Sequence, residues 1–261
     1  MNILDKIVAH KKQEVLTAKE KVSIKKLENE IYFTRATNSL KQQFINKNIG
    51  IIAEFKRQSP SKGIINDVVT PLDVVLGYEQ AGAIASSILT DSFFFGGQNQ
   101  DILEVRDSVS IPILRKEFMI DEYQIVEAKA IGADVILLIA AILTKQEIKS
   151  FTTLAHQLGL EVLLELHDTE ELDKIDIDVD LIGINNRNLK TFKVDIEHSI
   201  KMSDYLQNDF IKIAESGLSE VATVKNLYQA GFKGFLMGEN FMKTENPALS
   251  CKNFIAQIDI N

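Results

Sequence analysis

The segment IIAEFKRQSPSKG (51–63) places Glu54 and Lys56 two residues apart inside an otherwise apolar run. Along a strand, residues i and i+2 share a face, so this carboxylate and this ammonium occupy one surface. Comparable residues end other apolar runs: Lys116 in IPILRKEF (111–118), with Leu114 and Phe118 at its parity, and Glu165 with His167 in LEVLLELH (160–167). Asn185 and Arg187 do so in LIGINNRN (181–188), and Glu215 leads Ser216 and Gly217 in IKIAESG (211–217). This composition suits general acid–base work on an anionic substrate. A lysine can protonate a developing alkoxide or hold a carboxylate, and a glutamate whose pKa is raised by burial can remove protons. The pairs Glu54/Lys56 and Lys116/Glu165 offer both roles. Taken singly, each such lysine or glutamate reads as a solvated strand end, and Arg187 as a partner for one of the carboxylates; their recurrence in run after run points to a site. No Ser–His or Cys–His nucleophile pair stands out, and the four histidines (His10, His156, His167 and His198) are scattered. No metal site is expected, His167 beside Glu165 being the weak exception.

Two glycine-bearing corners suggest a phosphate. AESGL (214–218) and LMGEN (236–240) end the last two apolar runs, and such corners present backbone N–H groups to an anion. The aromatics of FFFGG (93–97) have two readings: packing under a loop, or one ring, together with Phe118, against a planar ligand.

These residues need elements that bring them together. Eight short apolar runs occur, at 49–56, 85–91, 111–118, 134–140, 160–167, 181–188, 211–217 and 234–240. Amphipathic stretches separate them at 71–82, 121–133, 144–159 and 219–232, several ending in a glycine corner. Alternation of this kind predicts a (β/α)8 barrel whose parallel strands are covered on both faces. A doubly wound open sheet is the competitor, but no G-x-G-x-x-G follows the first strand. In a barrel the polar residues above gather at the C-terminal mouth, where active sites lie. No linker tract divides the chain, so residues 1–261 read as one barrel domain with residues 1–48 as a helical N-terminal extension. Ile3, Leu4, Ile7 and Val8, then Val15, Leu16 and Ala18, recur at helical spacing, with Lys11 and Glu14 expected on a solvated face. The extension either caps the barrel or helps close its site.

With 45% hydrophobic and 25% charged residues, the chain has the profile of a globular protein. A net charge of −8 disfavours nucleic acid and anionic membranes as partners. The longest apolar run, VILLIAAIL (135–143), falls well short of the ~20 residues of a membrane span. No secretory leader is evident at the N-terminus. The one cysteine, Cys251, has no intrachain partner, which fits a cytoplasmic location.

The motifs also carry a likeness. IIAEFKRQSPSKG, SILTDSFFFGG, IPILRKEFMIDEYQI, GADVILLIAAIL, LLELHDTEEL, IGINNRNL, IAESG and FLMGENFM closely resemble the indole-3-glycerol-phosphate synthase family along nearly the whole chain. The resemblance implies a ring closure in tryptophan biosynthesis: condensation, decarboxylation and dehydration of 1-(2-carboxyphenylamino)-1-deoxyribulose 5-phosphate. By motif position, Lys116 looks like the general acid on the substrate carbonyl. Glu165 and Lys56 look like the groups for the remaining proton transfers, Glu54 would orient the lysines, and Asn185 would bind polar substrate atoms. Arg187 and Ser59 would take the anthranilate carboxylate; Phe95, Phe118, Pro60 and Leu137 would wall the aromatic ring, with Glu215 also at the substrate. Ser216, Gly217, Gly238 and Glu239 would hold the phosphate with Lys56. No cofactor is implied, and a monomer or weak homodimer is expected. Two positions depart from the family pattern: DSFFF lacks the usual charged residue before its aromatic pair, and Asn240 replaces a commonly small residue. A Schiff-base aldolase or isomerase of sugar phosphates, and a silent barrel serving as a binding module, are the alternatives. Borohydride trapping of a lysine adduct would mark the aldolase, whereas a binding module needs no acid–base set.

Overall fold

The computed structural model describes residues 3–175, 178–188, 193–206 and 209–258; Leu189, the last residue of IGINNRNL, lies outside them. Eight parallel strands form a closed barrel: β1 (Gly50–Phe55), β2 (Ala85–Leu89), β3 (Ile113–Lys116), β4 (Val135–Ile139), β5 (Glu161–Leu166), β6 (Leu181–Asn185), β7 (Ile211–Glu215) and β8 (Gly234–Met237). Pairing of β1 with β2 (Ile52 opposite Ala85) and with β8 (Gly50 opposite Gly234) closes the ring. Each expected strand is present, with its C-terminal end trimmed by one to three residues and its N-terminal end by none to two.

Parity divides the core in two. Ile51, Ala53 and Phe55 of β1 pack outward in the large cluster between strands and helices. Ile52 instead joins Leu114, Val135, Leu137, Leu163, Leu181, Ile213 and Leu236 inside the barrel. Glu54, Lys116, Glu165 and Glu215 share the inward parity at the next level up. Each comes from an odd-numbered strand, as alternating layers of a barrel interior require.

The two ends of β5 show how position sets the role of one residue type. Glu161, at the lower end, accepts hydrogen bonds from Leu40 N (2.8 Å) and Lys41 N (3.0 Å). It thereby caps the helix Leu40–Asn46, whose Leu40 and Phe44 complete the interior cluster from below. Glu165, at the same parity and above Leu163, has no helix to cap and faces the mouth.

The N-terminal helix Ile3–Lys21 crosses the mouth and runs down the flank. Val15 packs with Leu27, Tyr123 and Val126, and the Tyr123 hydroxyl donates to the Val22 carbonyl at 3.0 Å. Lys11 is not on a solvated face as its helical position predicts: it is 1% exposed. Its ammonium lies 2.9 Å from Asp91 Oδ2 and 2.9 Å from Glu117 Oε1, on loops after β2 and β3, and 2.8 Å from Glu14. Those carboxylates replace the water it loses, which is the condition for burying a lysine. Glu14 does remain on the partly solvated side of the helix. Among the described residues no helix is long and apolar enough to cross a membrane.

Candidate active site

A cavity of about 400 Å³ opens at the C-terminal mouth of the barrel, within the range that encloses a small-molecule ligand. Its wall contains Glu54, Lys56, Ser59, Pro60, Phe95, Lys116, Phe118, Leu137, Glu165, Asn185, Arg187, Glu215, Ser216, Gly217, Gly238 and Glu239. Every candidate residue from the sequence is thus brought to one space. Three more, Ile3, Leu4 and Ile7, come from the N-terminal helix. Their helical spacing was visible in the sequence, but not the surface they face.

The floor of the cavity is ionic. Lys116 Nζ donates to Glu165 Oε2 at 2.8 Å and to Glu215 Oε2 at 2.5 Å, so two carboxyl groups bracket one ammonium. Lys56 Nζ donates to Glu54 Oε1 at 2.6 Å. Glu165 Oε1 accepts from Asn185 Nδ2 at 3.2 Å, and Asn185 Oδ1 accepts from Arg187 N at 3.0 Å, which fixes the amide's orientation. His167 Nε2 lies 2.9 Å from the same Glu165 oxygen, an ion-pair contact outside hydrogen-bond alignment.

Two glycines make room for these carboxyls. Gly183 stands opposite Glu165 on β6, and a Cβ there would lie 2.2 Å from Glu215 Oε1. At Gly238 a Cβ would lie 2.6 Å from Glu54 Oε1. Any side chain at either position would push a carboxyl off its lysine.

Burial and charge drive the carboxyls apart in acidity. Burial pushes Glu215 up to about 8; Lys116 opposes the rise and the neighbouring Glu165 charge adds to it. Burial acts on Glu165 in the same sense, but Lys116 and His167 outweigh it and hold that carboxyl well below its usual range. Lys116 is kept above its ordinary value: burial favours the neutral amine, and the charges of Glu165, Glu215 and Glu54 overcome it. His167 is raised, its burial outweighed by Glu165. The site therefore pairs an ionised carboxylate with a protonated carboxyl across one ammonium, the separation that distinguishes a base from an acid.

A stability linkage follows from Glu215. Its folded value of about 8 lies above the ordinary 4.5, so its contribution to stability is complete below pH 4.5 and is lost as pH rises through about 8. Glu215→Gln is expected to remove that decline. Denaturant unfolding of both proteins at pH 5 and pH 9 measures it, and an equal fall with pH in the two would contradict the assignment.

The rim supplies the other surfaces. Phe95 and Phe118 face each other with ring centroids 5.9 Å apart and planes 36° apart, across from Leu137. Phe93 does not join them: it is 64% exposed and packs on His10 at 4.5 Å. Of the FFFGG rings, Phe95 lines the cavity and Phe93 rests on the N-terminal helix. Ser59 and Pro60 lie on a loop pinned by a short hairpin, Gln58–Ser59 with Gly63–Ile64. On the opposite side, Ser216 and Gly217 both have φ of 68°, Ser216 being the one non-glycine in that region among the described residues. Such strain is characteristic of functional turns. Glu239 opens the short helix Glu239–Met242, whose first N–H groups have no acceptor within the helix. Its carboxylate lies 3.7 Å from Lys62 and 3.9 Å from Arg187.

Comparisons with known proteins agree with this geometry. The family model described as indole-3-glycerol phosphate synthase matches residues 4–254. An indole-3-glycerol phosphate synthase of Bacteroides thetaiotaomicron is 48% identical over 257 residues, 98% of this chain and 99% of that one. That of Campylobacter fetus is 44% identical over 246 residues, 94% of this chain and 95% of its own length. Among solved structures, a mutant tryptophan synthase alpha-subunit from Pyrococcus furiosus superposes with a TM-score of 0.59 at 16% identity, covering 80% of this chain and 97% of that one. At that identity the likeness concerns the fold alone.

Proposed function

The chain belongs to the indole-3-glycerol phosphate synthase family, and on that premise we propose how its cavity residues divide the reaction. The enzyme is a carboxy-lyase of tryptophan biosynthesis. It converts 1-(2-carboxyphenylamino)-1-deoxyribulose 5-phosphate to indole-3-glycerol phosphate, CO2 and water.

In the first step the aromatic carbon that carries the carboxylate attacks the ketone carbon of the sugar chain. Lys116 donates a proton to the carbonyl oxygen as the new C–C bond forms, leaving a hydroxyl. Loss of CO2 returns its bonding electrons to the ring through the aniline nitrogen, so aromaticity is restored without a cofactor. Dehydration completes the indole: a proton leaves the carbon next to nitrogen, and the hydroxyl departs as water after protonation. Glu165 is placed as base for the first of these proton transfers and Lys56, oriented by Glu54, as acid for the second. Glu215 holds the proton that returns Lys116 to its ammonium form.

Binding divides by chemistry. Phe95, Phe118, Pro60 and Leu137 enclose the ring; Arg187 and Ser59 take the carboxylate until it leaves; Asn185 binds the sugar hydroxyls. Ser216, Gly217, Gly238 and Glu239 receive the phosphate mainly through backbone N–H groups, with Lys56 adding charge. A monomer or weak homodimer is proposed as the active form. A cytoplasmic location fits the buried, unpaired Cys251.

The observation that carries this reading is Lys116 held between the Glu165 and Glu215 carboxyls in a cavity that Phe95 and Phe118 also line. Incubation with the carboxyphenylamino substrate is expected to give indole fluorescence at catalytic enzyme concentration; none at high enzyme concentration would sink it.

A further inference from the structure

Lys11 lies outside the reacting groups, yet its contacts lead to the aromatic half of the cavity. Each of its barrel partners holds one aromatic wall. Asp91 pairs with Lys11 through Oδ2, while its Oδ1 accepts from Phe94 N (2.7 Å) and Phe95 N (3.2 Å), capping the turn that carries Phe95. Glu117 pairs through Oε1, the oxygen that also accepts from Phe118 N at 2.8 Å; its Oε2 accepts from Thr90 Oγ1 at 2.8 Å. One turn earlier on the helix, Ile7 faces the cavity beside Ile3 and Leu4. His10, next to Lys11, makes a second attachment to the same loop through Phe93 and Phe94, at 4.5 and 5.7 Å. Phe93, though 64% exposed, rests its ring on the helix at His10.

We infer that Lys11 is a positioning residue that seats the N-terminal helix, Phe95 and Phe118 as one unit and so sets recognition of the planar aryl group. Without its ammonium, the Asp91 and Glu117 carboxyls, 1% and 4% exposed, would lose the cation they share, leaving Glu117 the weaker influence of Arg115. Like charges so buried force protonation or separation, and separation parts the two aromatic walls. The phosphate cradle stands on the loops after β7 and β8, which Lys11 does not touch. The inference deepens the lyase reading and rests on it.

The experiment compares two ligands on the native enzyme and on Lys11→Met, which keeps the side chain's length without its charge. KM for the carboxyphenylamino substrate is expected to rise about tenfold with kcat within about threefold, the pattern of lost ground-state binding. The inhibition constant of inorganic phosphate is expected to stay within about twofold, because the cradle is undisturbed. Lys11→Arg, which restores the charge, is expected to recover KM to within about threefold of native. If Lys11→Met does not fold, the double variant His10→Ala/Phe93→Ser loosens the other attachment and is expected to raise KM, again with phosphate inhibition unchanged. An unchanged KM, or KM and the phosphate constant moving together, overturns the positioning role. Failure of the native enzyme to turn over the substrate would instead sink the lyase reading itself.

Discussion

Lys116→Ala is expected to lower kcat by about 10³–10⁴-fold, the upper range for loss of a placed acid, with substrate affinity largely retained. The aromatic walls, Arg187 and the phosphate cradle are all untouched by the change. The variant is expected to fold. Two buried carboxyls then lose the ammonium between them, and Glu165 regains the proton that Lys116 had excluded, so no bare pair of charges remains. Lys116→Arg separates charge from proton transfer. A guanidinium can satisfy Glu165 and Glu215, but its planar fork replaces the compact ammonium at the point of proton transfer, so Arg is expected to be nearly as inactive as Ala. Turnover at saturating substrate, followed by indole fluorescence, and binding by titration with product check both. An alanine variant keeping more than about a hundredth of native kcat would refute the role.

That Lys116 and Glu165 share the barrel interior was legible in the sequence because parallel strands buried on both faces are nearly continuous in Val, Ile and Leu. A lysine or glutamate inside such a run stands out, and its parity tells which side it faces. Glu54, Lys56, Asn185 and Glu215 were readable for the same reason. The pairing of Glu215 with Lys116 was not. Parity places a group in the barrel without saying which inward neighbour it touches, and the space for this contact depends on Gly183, an unremarkable residue of LIGIN.

Lys11 was misplaced for a different reason. On an amphipathic helix a lysine beside Lys12 and one turn from Glu14 has the local pattern of a solvated face. The carboxylates that bury it follow β2 and β3, far along the chain, and no local spacing encodes them. The same holds for Phe93 against Phe95. Three successive phenylalanines carry no information about which faces a cavity and which a helix laid over it. Local periodicity thus gave the scaffold and the ends of its strands, whereas contacts between the extension and the loops required the folded chain.

Glu165→Gln tests the other half of the acid–base set, and its effects extend to the pH profile. The amide keeps the shape of the carboxylate and can still accept from Asn185, so folding and KM are expected to hold. Its proton affinity is gone, however, and its NH2 cannot serve Lys116 as an acceptor. The expected loss in kcat is about 10²–10³-fold. The remaining ions rearrange in a definite direction. Burial is the main cause of the high Glu215 value, and the Glu165 charge adds to it; with that charge removed, Glu215 ionises more readily and shares with Glu54 the balancing of the Lys116 charge. If Glu215 stores the proton that resets Lys116, the alkaline limb of native kcat lies near pH 8. In the variant it moves to lower pH. Such a limb belongs to the coupled set rather than to one carboxyl, so its displacement by a change at Glu165 is the informative quantity. Profiles of kcat over pH 6–9.5 for both proteins measure it. A variant with native turnover removes Glu165 from proton transfer, and a slow variant with an unmoved limb removes Glu215 from the relay.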